Sequence, residues 1–267
     1  MIRVSAIQMT SNQDVAANLK RAEEMVRRAA VGGSKLITLP ENFSYFKVEG
    51  ELSAFKTTVD GEVVGGMAAL AKELSVTLLL GSIPEASEGS DKTFNTSVLL
   101  GPDGSTLAVY RKIHLFDVEV PDVVRLKESD AVEAGSEVVT AKTPAGVVGL
   151  TVCYDLRFPE LYRRLALAGA EIITVPSAFI PHTGKDHWEV LLRARAIENQ
   201  SYVVAPAQYG RHSAKRQSYG RSLIIDPWGL VVAQAADGEG VISAEVDLSR
   251  LESIRRNLPC LQHIRLL

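Results

Sequence analysis

Three side chains suited to amide hydrolysis each follow an apolar, strand-like segment of the sequence. Glu41 follows KLITLP, Lys112 follows STLAVYR, and Cys153 follows VVGLTV. In open α/β sheets, residues that carry chemistry collect beyond the carboxyl ends of strands. A thiol can attack a carbonyl, a carboxylate can take the thiol proton and later activate water, and an ammonium can stabilise an oxyanion. The combination therefore suits hydrolysis of an amide.

The local sequence leaves two interpretations of Cys153 open. Free cysteine is among the most buried residue types, so a structural thiol is one of them. The other is a nucleophile, because Pro159 and Glu160 are typical of a helix start, and backbone N–H groups near a helix N-terminus lower the pKa of a thiol. Cys260 lies in the C-terminal segment NLPCLQHIRLL and is expected to be structural.

Histidine, the usual base for a nucleophilic thiol, gives this cysteine no decisive support. The five histidines are His114, His182, His187, His212 and His263. His182 and His187 are five residues apart, which fits one helical face poorly, and no cysteine lies near them, so we expect no metal site. A protease-like Cys/His pair is an alternative that no particular histidine of the sequence supports.

Strand-like and helix-like segments alternate along the chain and must position these side chains. The first half has predicted strands at 2–9, 35–40 and 76–83, helices at 13–33 and 65–74, and a hairpin at 94–112. The second half has strands at 146–153, 171–177, 202–208 and 240–247, helices at 159–169 and 187–200, and a hairpin at 218–235. The similar order hints at pseudo-symmetry, and strands flanked by amphipathic helices predict a layered α/β fold.

Composition and charge narrow the class of protein. The chain has 267 residues, of which 46% are hydrophobic and 23% charged, and no linker divides it, so we expect one domain over residues 1–267. The net charge of −3 gives no reason to expect nucleic acid or a membrane as a partner. No signal peptide and no apolar run of about 18 residues is visible. Two cysteines cannot form a disulfide framework, although a single bridge stays open, so a reduced cytoplasmic setting is expected.

The segments around the three reactive side chains also match a known family. LPENF around Glu41, YRKIHLFD around Lys112 and CYDLRFPE around Cys153 resemble the signature blocks of the nitrilase superfamily of carbon–nitrogen hydrolases. The similarity runs from VSAIQMTS near the N-terminus through HWEVLLRARAIENQSYVV to SLIIDPWG. Each block is short, but three in this order with a matching C-terminal half are specific.

This resemblance implies a fold and a role for each reactive residue. The fold would be a four-layer α-β-β-α sandwich that pairs into homodimers or larger homo-oligomers. Glu41 would be the general base, Lys112 the oxyanion-stabilising residue and proton donor, and Cys153 the nucleophile. Glu128 would orient the substrate and the lysine, and the backbone N–H of Tyr154 would complete the oxyanion hole with Lys112. The reaction would need no cofactor and would pass through a thioester with loss of ammonia.

The substrate that this resemblance implies is a small ω-amide acid. CYDLRFPELYRRLALAGAEIITVPSAF and the AQYGRH…KRQSYGRS segment resemble the deaminated glutathione amidase branch most closely. The ω-amidases that act on α-ketoglutaramate share much of this pattern and are the alternative. A nitrile-hydrolysing enzyme and a non-catalytic scaffold of the same fold are the lesser alternatives. Asn42 stands where relatives often carry a small residue, so it is expected to tune the polarity of the pocket.

A substrate of this kind carries carboxylates, so a basic pocket with aromatic walls is expected. The candidates for substrate contacts are Arg157, Arg211 and Lys215 as cations and Tyr45, Phe46 and Phe116 as walls. Each cation also has a structural interpretation. Arg157 could pin the turn after Cys153 through a buried ion pair, and the other two could be solvated loop charges.

Overall fold

The secondary structure of a computed structural model is described for residues 1–47, 53–120 and 124–266. The helices are α1 (Val15–Val31), α2 (Glu62–Leu74), α3 (Pro159–Leu167), α4 (Pro181–Asn199) and α5 (Leu248–Asn257). The strands of the first half are β1 (Ile2–Gln8), β2 (Leu36–Thr38), β3 (Thr77–Ala86), β4 (Thr93–Leu100), β5 (Thr106–Arg111), β6 (Asp117–Val120), β7 (Val124–Lys127) and β8 (Val132–Glu133). Those of the second half are β9 (Thr140–Thr143), β10 (Gly146–Leu150), β11 (Ile172–Thr174), β12 (Tyr202–Ala205), β13 (Tyr209–Arg211), β14 (Gln217–Tyr219), β15 (Leu223–Ile225), β16 (Val231–Gln234) and β17 (Gly240–Val246).

Two mixed sheets form the centre of the molecule. The first has the order β17-β1-β2-β3-β4-β5, with β8 beside β4, and the second has the order β16-β15-β12-β11-β10-β9. In both sheets the central strands run parallel, with β1-β2-β3 in one and β10-β11-β12 in the other, and the outer pairs are antiparallel. Because parallel strands end at the same edge, the segments that follow them meet there.

Helices cover the outer face of each sheet. Helices α1 and α2 contact the first sheet, α3 and α4 contact the second, and the two sheets contact each other between β1 and β12 and between β5 and β9. The fold is therefore the α-β-β-α sandwich expected from the resemblance. It places each central strand between two apolar layers.

Strand β3 contains a run of three leucines because both of its faces are buried. Leu79 belongs to the core between the two sheets, and Leu78 and Leu80 belong to the core under α1 and α2. Since successive side chains of a strand point to opposite faces, a strand buried on both sides needs apolar residues at every position. Helix α1 meets the same core with one face, which carries Ala22 and Val26.

The structure corrects several boundaries of the predicted elements, including the ends of β11 and β12, which lie three residues earlier than predicted. Helix α4 begins at Pro181, six residues before the predicted start, because proline fits the first helical position although the first turn has no apolar stripe. Strand β10 ends at Leu150 and does not run to Cys153. The predicted hairpin at 218–235 is interrupted at Gly220 and Arg221, which have φ of 79° and 60°, so β14 pairs with β13 and only β15 pairs with β16. Helix α5 and the β6–β7 hairpin were not predicted.

No helix among the described residues is both long and apolar enough to span a bilayer.

Candidate active site

Cys153 lies at a tight turn just beyond the end of β10. Its φ of 50° is in the left-handed region, which costs a non-glycine residue about 1–3 kcal/mol and is typical of functional sites. The turn is held by two bonds: the N–H of Cys153 donates to Pro176 O at 2.9 Å, and that of Val152 donates to Asp155 Oδ2 at 2.8 Å. A single 3-10 turn, Cys153–Arg157, then leads into α3. The strained turn presents the thiol at the edge of the second sheet.

Lys112 brings two carboxylates together opposite this thiol. Its Nζ lies 3.1 Å from Glu41 Oε1 and 2.8 Å from Glu128 Oε2, and the lysine is only 1% exposed. Glu41 follows β2, Lys112 follows β5, and Glu128 follows β7. The Cys153 thiol faces the Glu41 carboxylate, which raises the pKa of the thiol. The four residues that the sequence predicted as catalytic are thus brought together by the ends of different strands.

Two glycines permit the close backbone approaches that this arrangement requires. A Cβ atom on Gly81 of β3 would lie 2.0 Å from the carbonyl oxygen of Pro40, next to Glu41. A Cβ atom on Gly135 would lie 2.2 Å from the carbonyl oxygen of Arg111, next to Lys112. Both distances are far below van der Waals contact, so only glycine fits at either position.

Asn95 of β4 is a member of the site that sequence reasoning missed. Its Nδ2 donates to Glu41 Oε1 at 2.9 Å and to Glu128 Oε1 at 3.3 Å. The amide therefore bridges the two carboxylates on the side away from the solvent. The signal for it was an asparagine within the otherwise buried strand FNTSVLL, because a buried amide requires polar partners.

The charges of the site shift the pKa values of its members in different directions. Burial opposes the charge of Lys112, but Glu128 and Glu41 outweigh it and raise the pKa of Lys112 above its ordinary value. Burial likewise opposes the charge of Glu128, but Lys112 and hydrogen bonds from Phe116 N and Asn95 lower the pKa of Glu128. Burial and the Glu41 carboxylate raise the pKa of the Cys153 thiol well above its usual value. Cys153 is therefore a neutral thiol that needs a base, and Glu41 is the carboxylate in contact with it.

The position of Tyr154 suits an oxyanion hole. It is the second residue of the 3-10 turn, where backbone N–H groups have no partner inside the helix. Its neighbour Cys153 carries the nucleophile, and Lys112 lies across the site. An oxygen developing charge on a carbonyl attacked by the thiol would meet donors from both sides.

A cavity of about 500 Å³ opens onto these residues. Besides Glu41, Lys112, Glu128, Cys153 and Tyr154, its described lining consists of Asn42, Phe46, Lys47, Phe116, Arg125, Leu126, Lys127, Asp130, Ala131, Ala178, Phe179, Ile180, Thr183 and Arg216. The volume is that of a small-molecule site. Asn42, Phe46 and Phe116 lie where the sequence predicted pocket residues.

The other substrate-contact candidates lie outside the described lining of this cavity. Tyr45 is buried and packs on Phe55. The guanidinium of Arg157 stands over the rings of Tyr154 and Phe179, and among the described residues it forms no buried ion pair of the kind that its alternative interpretation required. Their contacts with substrate stay predictions that the geometry does not support.

The two loop cations also point away from the described lining. Arg211 donates to Ala214 O within its own hairpin, and Lys215 is exposed in the same hairpin. Arg216, the residue next to Lys215, lines the cavity and was not predicted.

Comparison with known proteins agrees with this geometry. The carbon–nitrogen hydrolase family matches residues 3–256. A deaminated glutathione amidase of Synechocystis sp. is 44% identical over 262 residues, which cover 97% of this chain and 96% of the relative. The crystal structure of the Caenorhabditis elegans NitFhit protein superposes with a TM-score of 0.91 at 40% identity, covering 99% of this chain and 65% of that one. A Saccharomyces cerevisiae member of branch 10 of the nitrilase superfamily superposes with a TM-score of 0.86 at 34% identity, covering 97% of this chain and 94% of that one.

The chain belongs to the carbon–nitrogen hydrolase family. With its Glu-Lys-Cys site, it is a hydrolase that acts on amides.

Proposed function

We propose that this chain is a deaminated glutathione amidase in which Cys153 is the nucleophile, Glu41 the base, Lys112 the oxyanion-stabilising residue and proton donor, and Glu128 the residue that orients Lys112. The observation that carries the proposal is the buried Lys112 ammonium held between two carboxylates, one of which contacts the thiol. This arrangement provides a base and an electrostatic stabiliser within one pocket.

The first half-reaction forms a thioester. Glu41 takes the thiol proton while Cys153 Sγ attacks the amide carbon, and the oxyanion is held by Lys112 and the N–H of Tyr154. The carbon–nitrogen bond then breaks, and the leaving nitrogen takes a proton from Lys112. The proton stored on Glu41 returns to Lys112, so the amine leaves neutral and the site recovers its charges.

The second half-reaction releases the acid. Glu41 takes a proton from a water molecule that attacks the thioester carbon, and the same oxyanion donors act again. The carbon–sulfur bond breaks, and the thiolate recovers its proton from Glu41. The product is a carboxylic acid, and one water is consumed in each turnover.

The proposed substrate rests on the Synechocystis relative and on the charge of the pocket. In the described part of the lining, four cations lie outside the catalytic group, namely Lys47, Arg125, Lys127 and Arg216, together with one further carboxylate, Asp130. Deaminated glutathione is an acid at both ends, so such a lining suits it. Its amide nitrogen belongs to cysteine, so the leaving amine is cysteinylglycine and not the ammonia expected from the sequence, whereas α-ketoglutaramate would release ammonia.

The test compares deaminated glutathione with α-ketoglutaramate by following 2-oxoglutarate, the acid that both amides release. We expect kcat/KM to be higher for deaminated glutathione. A strong preference for α-ketoglutaramate would contradict the proposal and favour the ω-amidase alternative.

We also propose that the enzyme is one domain that works in the cytoplasm as a homodimer or larger homo-oligomer. The core between the sheets supports one domain, because it draws residues from both halves of the chain. The two cysteines are not bonded to each other, which suits a reducing compartment. An exposed apolar patch on α4 and the neighbouring β15–β16 turn supports self-association, and it is formed by Val190, Ile197, Trp228 and Leu230.

A further inference from the structure

Arg216 lies at the active-site end of the β13–β14 hairpin and lines the cavity that contains the thiol. Its Nη2 donates to the carbonyl oxygen of Ala178 at 3.2 Å, and its guanidinium stands 5.8 Å from the centre of the Phe46 ring. Unlike Arg125, whose side chain is 84% exposed, Arg216 is partly buried. A partly desolvated guanidinium binds a carboxylate more strongly than an exposed one does.

Ala178 connects this guanidinium to the nucleophile. The backbone N–H of Ala178 faces the thiol of Cys153 and acts to lower its pKa, and the carbonyl oxygen of Ala178 accepts from Arg216. The guanidinium of Arg216 and the thiol of Cys153 therefore lie on either side of Ala178, one at its carbonyl oxygen and the other at its N–H. A substrate carbonyl held at the thiol would therefore have Arg216 within the length of a short acyl chain.

An aromatic stack fixes the plane on which the guanidinium rests. The ring of His212 is parallel to that of Phe46, with centres 4.0 Å apart. The imidazole is in turn anchored at both nitrogens, Nδ1 by Ser11 O at 2.8 Å and Nε2 by Ser218 Oγ at 2.9 Å. Burial lowers the pKa of His212 to about 4, and the charge of Arg216 acts in the same direction. The imidazole is therefore neutral at physiological pH and supports Arg216 without adding charge.

We propose that Arg216 is the specificity-determining residue that binds the carboxylate of the acyl half of the substrate, so that the enzyme selects amides whose acyl chain ends in a carboxylate. This inference rests on the proposed function. In an amide of 2-oxoglutarate, the carboxylate carbon is four carbon–carbon bonds from the amide carbon, a reach of roughly 5 Å.

The test compares a charged and an uncharged amide of equal length in Arg216→Gln. With α-ketoglutaramate, kcat/KM should fall roughly 100-fold, chiefly through KM, because one partner of a desolvated ion pair is lost. With 4-oxopentanamide, which has a methyl group in place of the carboxylate and keeps the keto group, kcat/KM should change less than about threefold. Arg216→Lys should recover part of the loss. Arg211→Gln, in the same hairpin but outside the described lining, is the matched control and should behave as the wild type.

A second measurement does not depend on turnover. Glutarate should protect Cys153 of the wild type and of Arg211→Gln from alkylation by iodoacetamide, and this protection should be lost in Arg216→Gln. Equal losses of kcat/KM for both amides, or full protection by glutarate in Arg216→Gln, would overturn the inference. A wild type that hydrolyses neither deaminated glutathione nor α-ketoglutaramate would refute the proposed function instead, and the protection experiment would still decide the role of Arg216.

Discussion

The environment of Cys153 explains why the site needs two carboxylates and one ammonium. Burial and Glu41 raise the pKa of the thiol, and the charge of Lys112 only partly opposes them. A resting thiolate next to Glu41 would add a third negative charge to a buried site that already contains two carboxylates. The thiol therefore stays protonated until a carbonyl arrives that can take up the charge as an oxyanion beside Lys112.

Replacement of the nucleophile should separate chemistry from folding. Cys153→Ala should lower kcat by at least about 10⁴-fold, since no other side chain can form the thioester. The substitution removes only one sulfur atom, so the melting temperature should change little. Release of 2-oxoglutarate and thermal unfolding measure the two effects. Cys260→Ala alters an exposed thiol and should leave both unchanged. Substantial hydrolysis by Cys153→Ala would disprove the assignment.

Glu128 should also make stability depend on acidity. Because the pKa of Glu128 is lowered in the folded protein, its ionised form stabilises the fold above its ordinary value of 4.5. This contribution is lost as the pH falls below 4.5 through the lower folded-state pKa. We expect the free energy of unfolding, measured in urea, to decrease over that range.

The free energy of unfolding of Glu128→Gln should decrease less steeply over the same pH range, because this variant lacks the titrating carboxyl group. It should also be about 3 kcal/mol less stable at pH 7, since Lys112 loses one partner of a buried ion pair. Glu252→Gln is a control, because Glu252 is exposed on helix α5 and lies outside the cluster. Identical slopes for the wild type and Glu128→Gln would contradict this origin of the acid sensitivity.

At the scale of elements, Asp155 joins the segment after β5 to the turn after β10. Its buried carboxylate accepts hydrogen bonds from Tyr110 Oη at 2.7 Å, from Val152 N at 2.8 Å and from His114 N at 3.0 Å. Lys112 lies between Tyr110 and His114, and Cys153 follows Val152. The carboxylate therefore fixes the lysine segment relative to the nucleophile turn.

Asp155→Asn tests this connection with almost no change in shape. Each oxygen of Asp155 faces a backbone N–H, so whichever way the new amide turns, its NH₂ group opposes a donor. We expect a loss of about 2–4 kcal/mol in the free energy of unfolding. Tyr110→Phe removes one hydroxyl and leaves both backbone bonds, so it should lose only about 1–2 kcal/mol. Equal losses in urea unfolding would show that the backbone bonds are not the important ones.

The existence of most strands and helices could be predicted from sequence, whereas the contacts between the segments that follow them could not. Apolar periodicity predicts strand β3 and helix α1, and the reactive residues follow apolar, strand-like segments of the same kind. Asn95 and Arg216 were missed because their importance comes from distant partners, Glu41 and Ala178, which periodicity does not reveal. The start of α4 at Pro181 was missed because its first turn is polar and partly exposed.

At the scale of the whole molecule, the outer face of α4 differs from an ordinary solvated helix face. Val190 and Ile197 are seven residues apart, so they lie on one face, and they are 66% and 50% exposed. Trp228 and Leu230 of the β15–β16 turn are 57% and 54% exposed, and Gly229 between them packs against Ile197. The patch that supports self-association is therefore continuous from the helix to the turn, and a second copy of the chain would cover it.

Val190→Lys should weaken this association, because it places an ammonium in the centre of an apolar interface. We expect the dimer dissociation constant, measured by analytical ultracentrifugation, to rise at least about tenfold, which corresponds to about 1.4 kcal/mol. Val31→Lys is the matched control, since Val31 is also an exposed valine, at the end of α1 and far along the chain from the patch. It should dimerise as the wild type does. A wild type that is monomeric at micromolar concentration, or equal weakening by both variants, would contradict assembly through α4. Arg195 of α4 donates through Nε and Nη2 to Leu156 O, in the turn that carries Cys153. Burial of the outer face of α4 in a dimer would therefore hold both the helix and this turn against the second sheet.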